Sequence, residues 1–313
     1  MVRRQRSRFA GLLAVTALVA AACSPADGAA TSTPEPTSSS TSSSSQLTTP
    51  TTSSSTSTTT STTTTSTTST TLPATTTTRP ELPDIGVEVE VPDGDGPFPA
   101  VVLVHGGGWL GGDPSIMRAL ARFLTDEGFL TINTPYKLSN ESPGFPEAAD
   151  DVACAVRYAA AHPDSDGTVA LIGHSAGGHI SAIVALTGDR YAADCPIPGT
   201  GVPDKLVGLA GPYDVTRLGI IMLPFFGAGP NADPEAWLAG NPQMLTDENS
   251  DLISLIMYGG SDGIVDSRFA ADFDRALTDS GSESLLEEVE GALHNNMRDP
   301  DWVGDLIVVW LER

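Results

Sequence analysis

Residues 168–185 read TVALIGHSAGGHISAIVA, and this stretch limits the possible folds of the chain more tightly than its composition does. The apolar run at 169–172 has the character of a strand buried on both faces, as in a parallel sheet. It passes directly into Gly173-His174-Ser175-Ala176-Gly177, and a helical pattern over 178–186 follows at once. Strand, Gly-x-Ser-x-Gly and helix in that order make a nucleophile elbow. Ser175 then sits on a turn too tight for bulky neighbours, and glycines at 173 and 177 let strand and helix approach. The turn lifts the hydroxyl above the carboxyl ends of the strands, and the helix N-terminus behind it favours developing negative charge. The alternative is a Gly-rich turn without chemistry, since the motif arises easily in a chain with 31 glycines.

The rest of the domain reads as strands alternating with helices. Residues 87–91 alternate as VEVEV, an edge or antiparallel strand with one wet face. Strands are expected at 100–104, 129–133, 206–210, 252–258 and 284–289, and helices at 115–127, 145–161, 268–279 and 301–311. Residues 215–250 are irregular, with a short helix at 234–239, and form an excursion expected to border the site as a small cap. Such alternation predicts an α/β fold in three layers, a mainly parallel sheet with helices on both faces.

The N-terminus reads differently. Arg3, Arg4, Arg6 and Arg8 precede a short apolar run at 11–19, and Ala20-Ala21-Ala22-Cys23 follows. This resembles a bacterial lipobox, which implies a signal peptide at 1–22 and a lipidated Cys23 as the mature N-terminus. Ordinary secretion and an uncleaved anchor are the alternatives. Residues 23–80, almost wholly Ser, Thr and Pro from 29 onward, bury too little apolar surface to offset the entropy of ordering. They are expected to be a disordered tether with a reach of roughly 40 Å, whether glycosylated or not. Residues 81–313 are long enough for one domain with a sizeable core. The expected location is extracytoplasmic and anchored to the membrane by lipid, or secreted if the lipobox is not used.

Acids outnumber bases 39 to 16, a net charge of −23, and removing the four signal arginines leaves 39 against 12, or −27. Nucleic acid and other polyanions are poor partners for such a chain. Besides Cys23 there are two cysteines, Cys154 in the helix before the elbow strand and Cys195 in the loop after the elbow helix. In an oxidising compartment the two are expected to pair and pin that loop beside the core.

Three further signals stand where an elbow serine needs them. His105-Gly106-Gly107-Gly108-Trp109 follows an apolar strand, and the N–H groups of Gly107 and Gly108, with that of Ala176, are candidates for an oxyanion hole. Asp262 lies just past the strand at 252–258, placed to orient a histidine, with Asp266 as its rival four residues on. His294 lies downstream of both Ser175 and Asp262 and completes the order Ser, Asp, His. His105 is read as tying down its loop, and His174 and His179 as packing or shaping the pocket. Trp109, Phe225, Phe226 and Trp237 either line an apolar pocket or simply pack. No cluster has metal-ligand spacing, so neither metal nor other cofactor is expected.

These strings together resemble an alpha/beta hydrolase of the esterase/lipase group, close to the carboxylesterase-like and feruloyl-esterase-like (BD-FAE) proteins. The resemblance is carried by HGGGW at 105–109, GHSAGG at 173–178, GPYD at 211–214, GGSDGIV at 259–265 and GALH at 291–294, and runs from about Gly86 onward. It implies a serine carboxylesterase with Ser175, His294 and Asp262 as its triad, acting on a small-molecule ester through an acyl-enzyme. Asp266 stands where the family often has proline. An amidase, arylformamidase-like or peptidase-like hydrolase is the nearest rival, and a non-catalytic surface binding module the more distant one.

Overall fold

The computed structural model describes residues 82–313. The expected signal peptide at 1–22, Cys23 and the tether at 23–80 lie outside the described residues. Strand β1 (Glu88–Glu90) is followed by β2 (Phe98–Val104), α1 (Arg118–Asp126), β3 (Leu130–Thr134) and α2 (Glu147–Ala161). Then come β4 (Ser165–His174), α3 (Ala176–Thr187), β5 (Lys205–Leu209), and two short helices, α4 (Leu223–Phe226) and α5 (Pro234–Ala239). Strand β6 (Ile253–Gly259), α6 (Arg268–Asp279), β7 (Glu283–Val289) and α7 (Pro300–Leu311) complete the chain.

The seven strands form one sheet in the order β1-β3-β2-β4-β5-β6-β7. Strand β1 pairs antiparallel with β3, and every other pairing is parallel. This is the expected three-layer α/β architecture, and the apolar runs explain it. Along β2, Val101 and Leu103 pack with Leu120 and Leu124 of α1 and Ile307 of α7. Val102 and Val104, pointing the other way, pack with Val152 and Val156 of α2 and Ile180 of α3. A strand covered on both faces has no polar face to show, so it reads as continuous hydrophobicity. Helix starts are equally local: Asp233 and Asp299 cap α5 and α7, each with proline in the first helical position.

The expected helix at 115–127 is shorter. Pro114–Ile116 makes a separate 3-10 turn, capped by Asp113 accepting from the N–H of Ser115, and the α-helix begins at Arg118. Three- and four-residue spacings overlap in so short a pattern, so periodicity does not separate the two. The 215–250 excursion is a series of 3-10 turns around α4 and α5.

Strand order reverses between β2 and β4: the chain leaves β2 to one side for β3, then crosses back to β4. The crevice at such a reversal, outside the carboxyl ends of the strands, is where open α/β sheets place ligands. The HGGGW loop follows β2 and Ser175 follows β4, so the topology brings both to this point.

Candidate active site

Ser175 joins β4 to α3 with φ 56° and ψ −121°, a backbone conformation unusual for a residue with a side chain. The turn is held by its N–H donating to the carbonyl of Leu209 on β5, at 2.9 Å. Two glycines make the approach possible. A Cβ at Gly173 would collide with the carbonyl of Gly177, and one at Gly177 with the carbonyls of Val104 and His105. Helix α3 therefore starts directly against the end of β2, and Ser175 stands beside the loop that β2 feeds.

His294 lies in a 3-10 turn, His294–Arg298, after β7. Its Nε2 is 2.9 Å from Ser175 Oγ and its Nδ1 is 2.7 Å from Asp262 Oδ2. A carboxylate oxygen only accepts, so Nδ1 carries the proton and donates it, and Nε2 accepts from the serine hydroxyl. The other oxygen of Asp262 accepts the N–H groups of Ile264 and Val265 at 2.8 and 3.0 Å. The Asp262 side chain is almost wholly buried, at 2% exposure. Asp266 is turned away on the surface, where Arg268 binds it through its main-chain N–H, Nε and Nη2. Arg268 pulls its carboxyl down to about 2. The structure thus brings Asp262, not Asp266, to His294.

The HGGGW loop runs alongside. A Cβ placed on Gly106 would lie 3.1 Å from the Ser175 Cβ. Gly107, Gly108 and Trp109 all have positive φ, at 136°, 61° and 63°. The carbonyl of Gly107 closes the turn by accepting from Leu110 and Gly111. Among the described residues, the N–H groups of Gly107, Gly108 and Ala176 donate to no other group of the chain.

His105 is tied into its loop: its Nδ1 donates to the Gly106 carbonyl at 2.7 Å and its ring stacks on Tyr136 at 4.4 Å. The Tyr136 hydroxyl donates back to the His105 carbonyl at 3.1 Å. His174 and His179 do more than pack. His174 Nε2 donates to the main-chain carbonyl of His294 at 3.0 Å, and His179 bridges Trp109 and Gly240. Burial drives both imidazoles toward the neutral form, to about 3 for His174 and about 4 for His179. The sequence reading, packing or shaping the pocket, missed these bonds; the available signal was two histidines flanking the serine in a segment otherwise small or apolar.

Trp109, Phe225, Phe226 and Trp237 are buried and pack in a chain, with ring centroids 6.0, 5.1 and 4.7 Å apart along it. Cys154 and Cys195 form a disulfide. It lies in the wall of a cleft of about 650 Å³ that none of the three residues Ser175, Asp262 and His294 lines. Among the described residues, no group of three or more His, Cys, Asp or Glu is placed to hold a metal ion.

The BD-FAE family model matches residues 88–277, from the start of β1 to near the end of α6. The chain belongs to the BD-FAE family. The match includes Ser175 and Asp262 but ends before His294, whose place rests on geometry and on the GALH string. The BD-FAE domain is 32% identical over 125 residues to the esterase LipC of Mycobacterium tuberculosis, covering 38% of this chain and 31% of LipC. It is 37% identical over 99 residues to the carboxylic ester hydrolase LipN of the same organism, covering 30% and 26%. These alignments span less than a third of each relative's length. Among solved structures, a truncated carbohydrate esterase from gut microbiota superposes with TM-score 0.63 at 20% identity, over 72% of this chain and 90% of that one. The apo form of Thermogutta terrifontis esterase 2 gives 0.58 at 20%, over 72% and 86%. At such identities the likeness speaks for the alpha/beta hydrolase fold alone.

Proposed function

We propose that this BD-FAE domain is a serine carboxylic-ester hydrolase acting on a small-molecule ester. The observation that carries the reading is the unbroken hydrogen-bonded line from Ser175 through His294 to Asp262. In this reading the Ser175 oxygen attacks the ester carbonyl while His294 Nε2 takes its proton. Asp262 holds the ring and stabilises the imidazolium. The N–H groups of Gly107, Gly108 and Ala176 receive the negative charge of the tetrahedral intermediate. His294 then protonates the leaving alcohol, and water, activated by the same imidazole, releases the acyl group from Ser175.

The test is hydrolysis of p-nitrophenyl acetate, butyrate and octanoate, with formyl and peptide amides alongside. Ser175→Ala is expected to lower kcat on esters on the order of 10⁴-fold or more. Amides turned over faster than esters would transfer the reading to an amidase. Absent turnover, with Ser175 unlabelled by a fluorophosphonate, would replace it with a binding module.

We further propose, from the sequence, that residues 81–313 are carried on the 23–80 tether from a lipidated Cys23, outside the cytoplasm. Mass spectrometry of the mature N-terminal peptide tests this, and Cys23 recovered without lipid overturns the anchor.

A further inference from the structure

His179 lies one turn beyond the nucleophile on α3, and its main-chain N–H donates to the carbonyl of Ser175 at 3.1 Å. Its side chain is wholly buried. Nδ1 is 3.2 Å from the indole Nε1 of Trp109, and Nε2 is 2.8 Å from the carbonyl of Gly240, just past α5. An indole N–H only donates and a carbonyl only accepts. Both bonds therefore exist together in one form of the ring, neutral with its proton on Nε2. A residue needed merely to fill this space could be an apolar ring, whereas here both nitrogens are engaged, with segments 70 and 61 positions away in sequence.

Trp109 directly follows Gly107 and Gly108 and has φ 63°, a conformation that an L-residue holds when its surroundings impose it. Its carbonyl accepts from the N–H of Ser139 at 2.8 Å, and its ring meets Phe225 and His179. The indole–imidazole bond is the polar tie between this side chain and the helix that carries the nucleophile.

The geometry points to His179 as a positioning residue. It fixes Trp109, and through it the N–H groups of Gly107 and Gly108, relative to Ser175. The inference rests on the proposed esterase reading, in which those N–H groups face the oxyanion. Donors displaced from the developing charge weaken the transition state more than the bound ester, so the loss belongs in kcat rather than KM.

The test uses the full chain and p-nitrophenyl butyrate. Trp109→Phe keeps an aromatic ring but deletes the N–H, and His179→Leu deletes both ring nitrogens. Each is expected to lower kcat roughly ten- to hundredfold with KM within about twofold of wild type. His179→Gln, whose amide offers one acceptor and one donor, is expected to recover most of that loss. The Trp109→Phe/His179→Leu double variant should be little worse than His179→Leu alone, because both changes remove the same Trp109–His179 bond. If His179→Leu does not fold, Trp109→Phe and His179→Gln carry the test. A folded Trp109→Phe with wild-type kcat, or a loss confined to KM, overturns the inference. Wild-type protein that neither cleaves esters nor reacts with a fluorophosphonate at Ser175 instead overturns the esterase reading, and this inference falls with it.

Discussion

His174 donates from Nε2 to the main-chain carbonyl of His294 across 3.0 Å, joining residues 120 positions apart. His174, the residue before the serine of G-x-S-x-G, thus holds the backbone of the histidine that Ser175 engages, and the two imidazoles lie 4.8 Å apart. Replacing the donor by an apolar group removes one buried hydrogen bond, worth about 0.5–1.5 kcal/mol. His174→Leu is therefore expected to lose about that much stability in urea unfolding and roughly tenfold in kcat, with His174→Gln closer to wild type. A His174→Leu protein as stable and as active as wild type would sink the assignment.

Asp262 and Asp266 separate cleanly by substitution. In Asp262→Asn an amide replaces the carboxylate opposite His294 Nδ1, which disfavours the productive tautomer and removes the charge that stabilises imidazolium. The expected loss in kcat is about 10³–10⁴-fold. Asp266→Asn breaks an exposed pair with Arg268 and should leave kcat within about twofold. Steady-state kinetics of the two proteins decides, and a larger loss at position 266 would reverse the assignment.

Folding stability should fall as the medium is acidified below neutrality. His179 and His174 have their pKa values depressed by burial to about 4 and about 3, from an ordinary 6.5. Between those values the unfolded chain binds protons that the folded chain refuses, so stability is full above about pH 6.5 and declines toward pH 4 and then 3. For His179 alone the effect is on the order of 3 kcal/mol over the whole interval. Urea unfolding at pH 7.5, 6.0 and 5.0, above the range of ordinary carboxylates, checks this. His179→Gln should flatten the decline, and an equal slope in both proteins would refute the attribution.

The Cys154–Cys195 disulfide closes a loop across a separation of 41 residues. Its removal in Cys154→Ser/Cys195→Ser should cost about 2–4 kcal/mol. Activity should change little, because other bonds hold the same loop to α2. Asp150 accepts the Ala192 N–H, and Arg157 donates to the carbonyls of Tyr191 and Ala192. Thermal unfolding with and without reductant, together with thiol titration of the unfolded protein, provides the measurement; two reactive thiols without reductant would contradict the bond.

Much of the molecule was legible in the chain because its causes are local. Continuous apolar runs such as 100–104 mark strands covered on both faces, and Gly173 and Gly177 mark a turn that tolerates no Cβ. The order Ser175, Asp262, His294 and the glycines after β2 could be read without coordinates, as could the α/β alternation. What remained open depends on segments that meet only after the sheet has assembled. Asp262 and Asp266 are four residues apart on one loop, and no periodicity says which turns inward to His294 and which outward to Arg268. The partners of His174 and His179 lie 120, 70 and 61 positions away, so nothing near them in sequence announces a carbonyl or an indole. The aromatic residues of the cap were equally ambiguous between pocket and core until the fold packed Phe225 onto Trp109 and Phe226 onto Trp237. Local sequence sets backbone preference and the pattern of burial, whereas hydrogen-bond partnership is a matter of distance, and only the packed sheet brings these distant groups within reach.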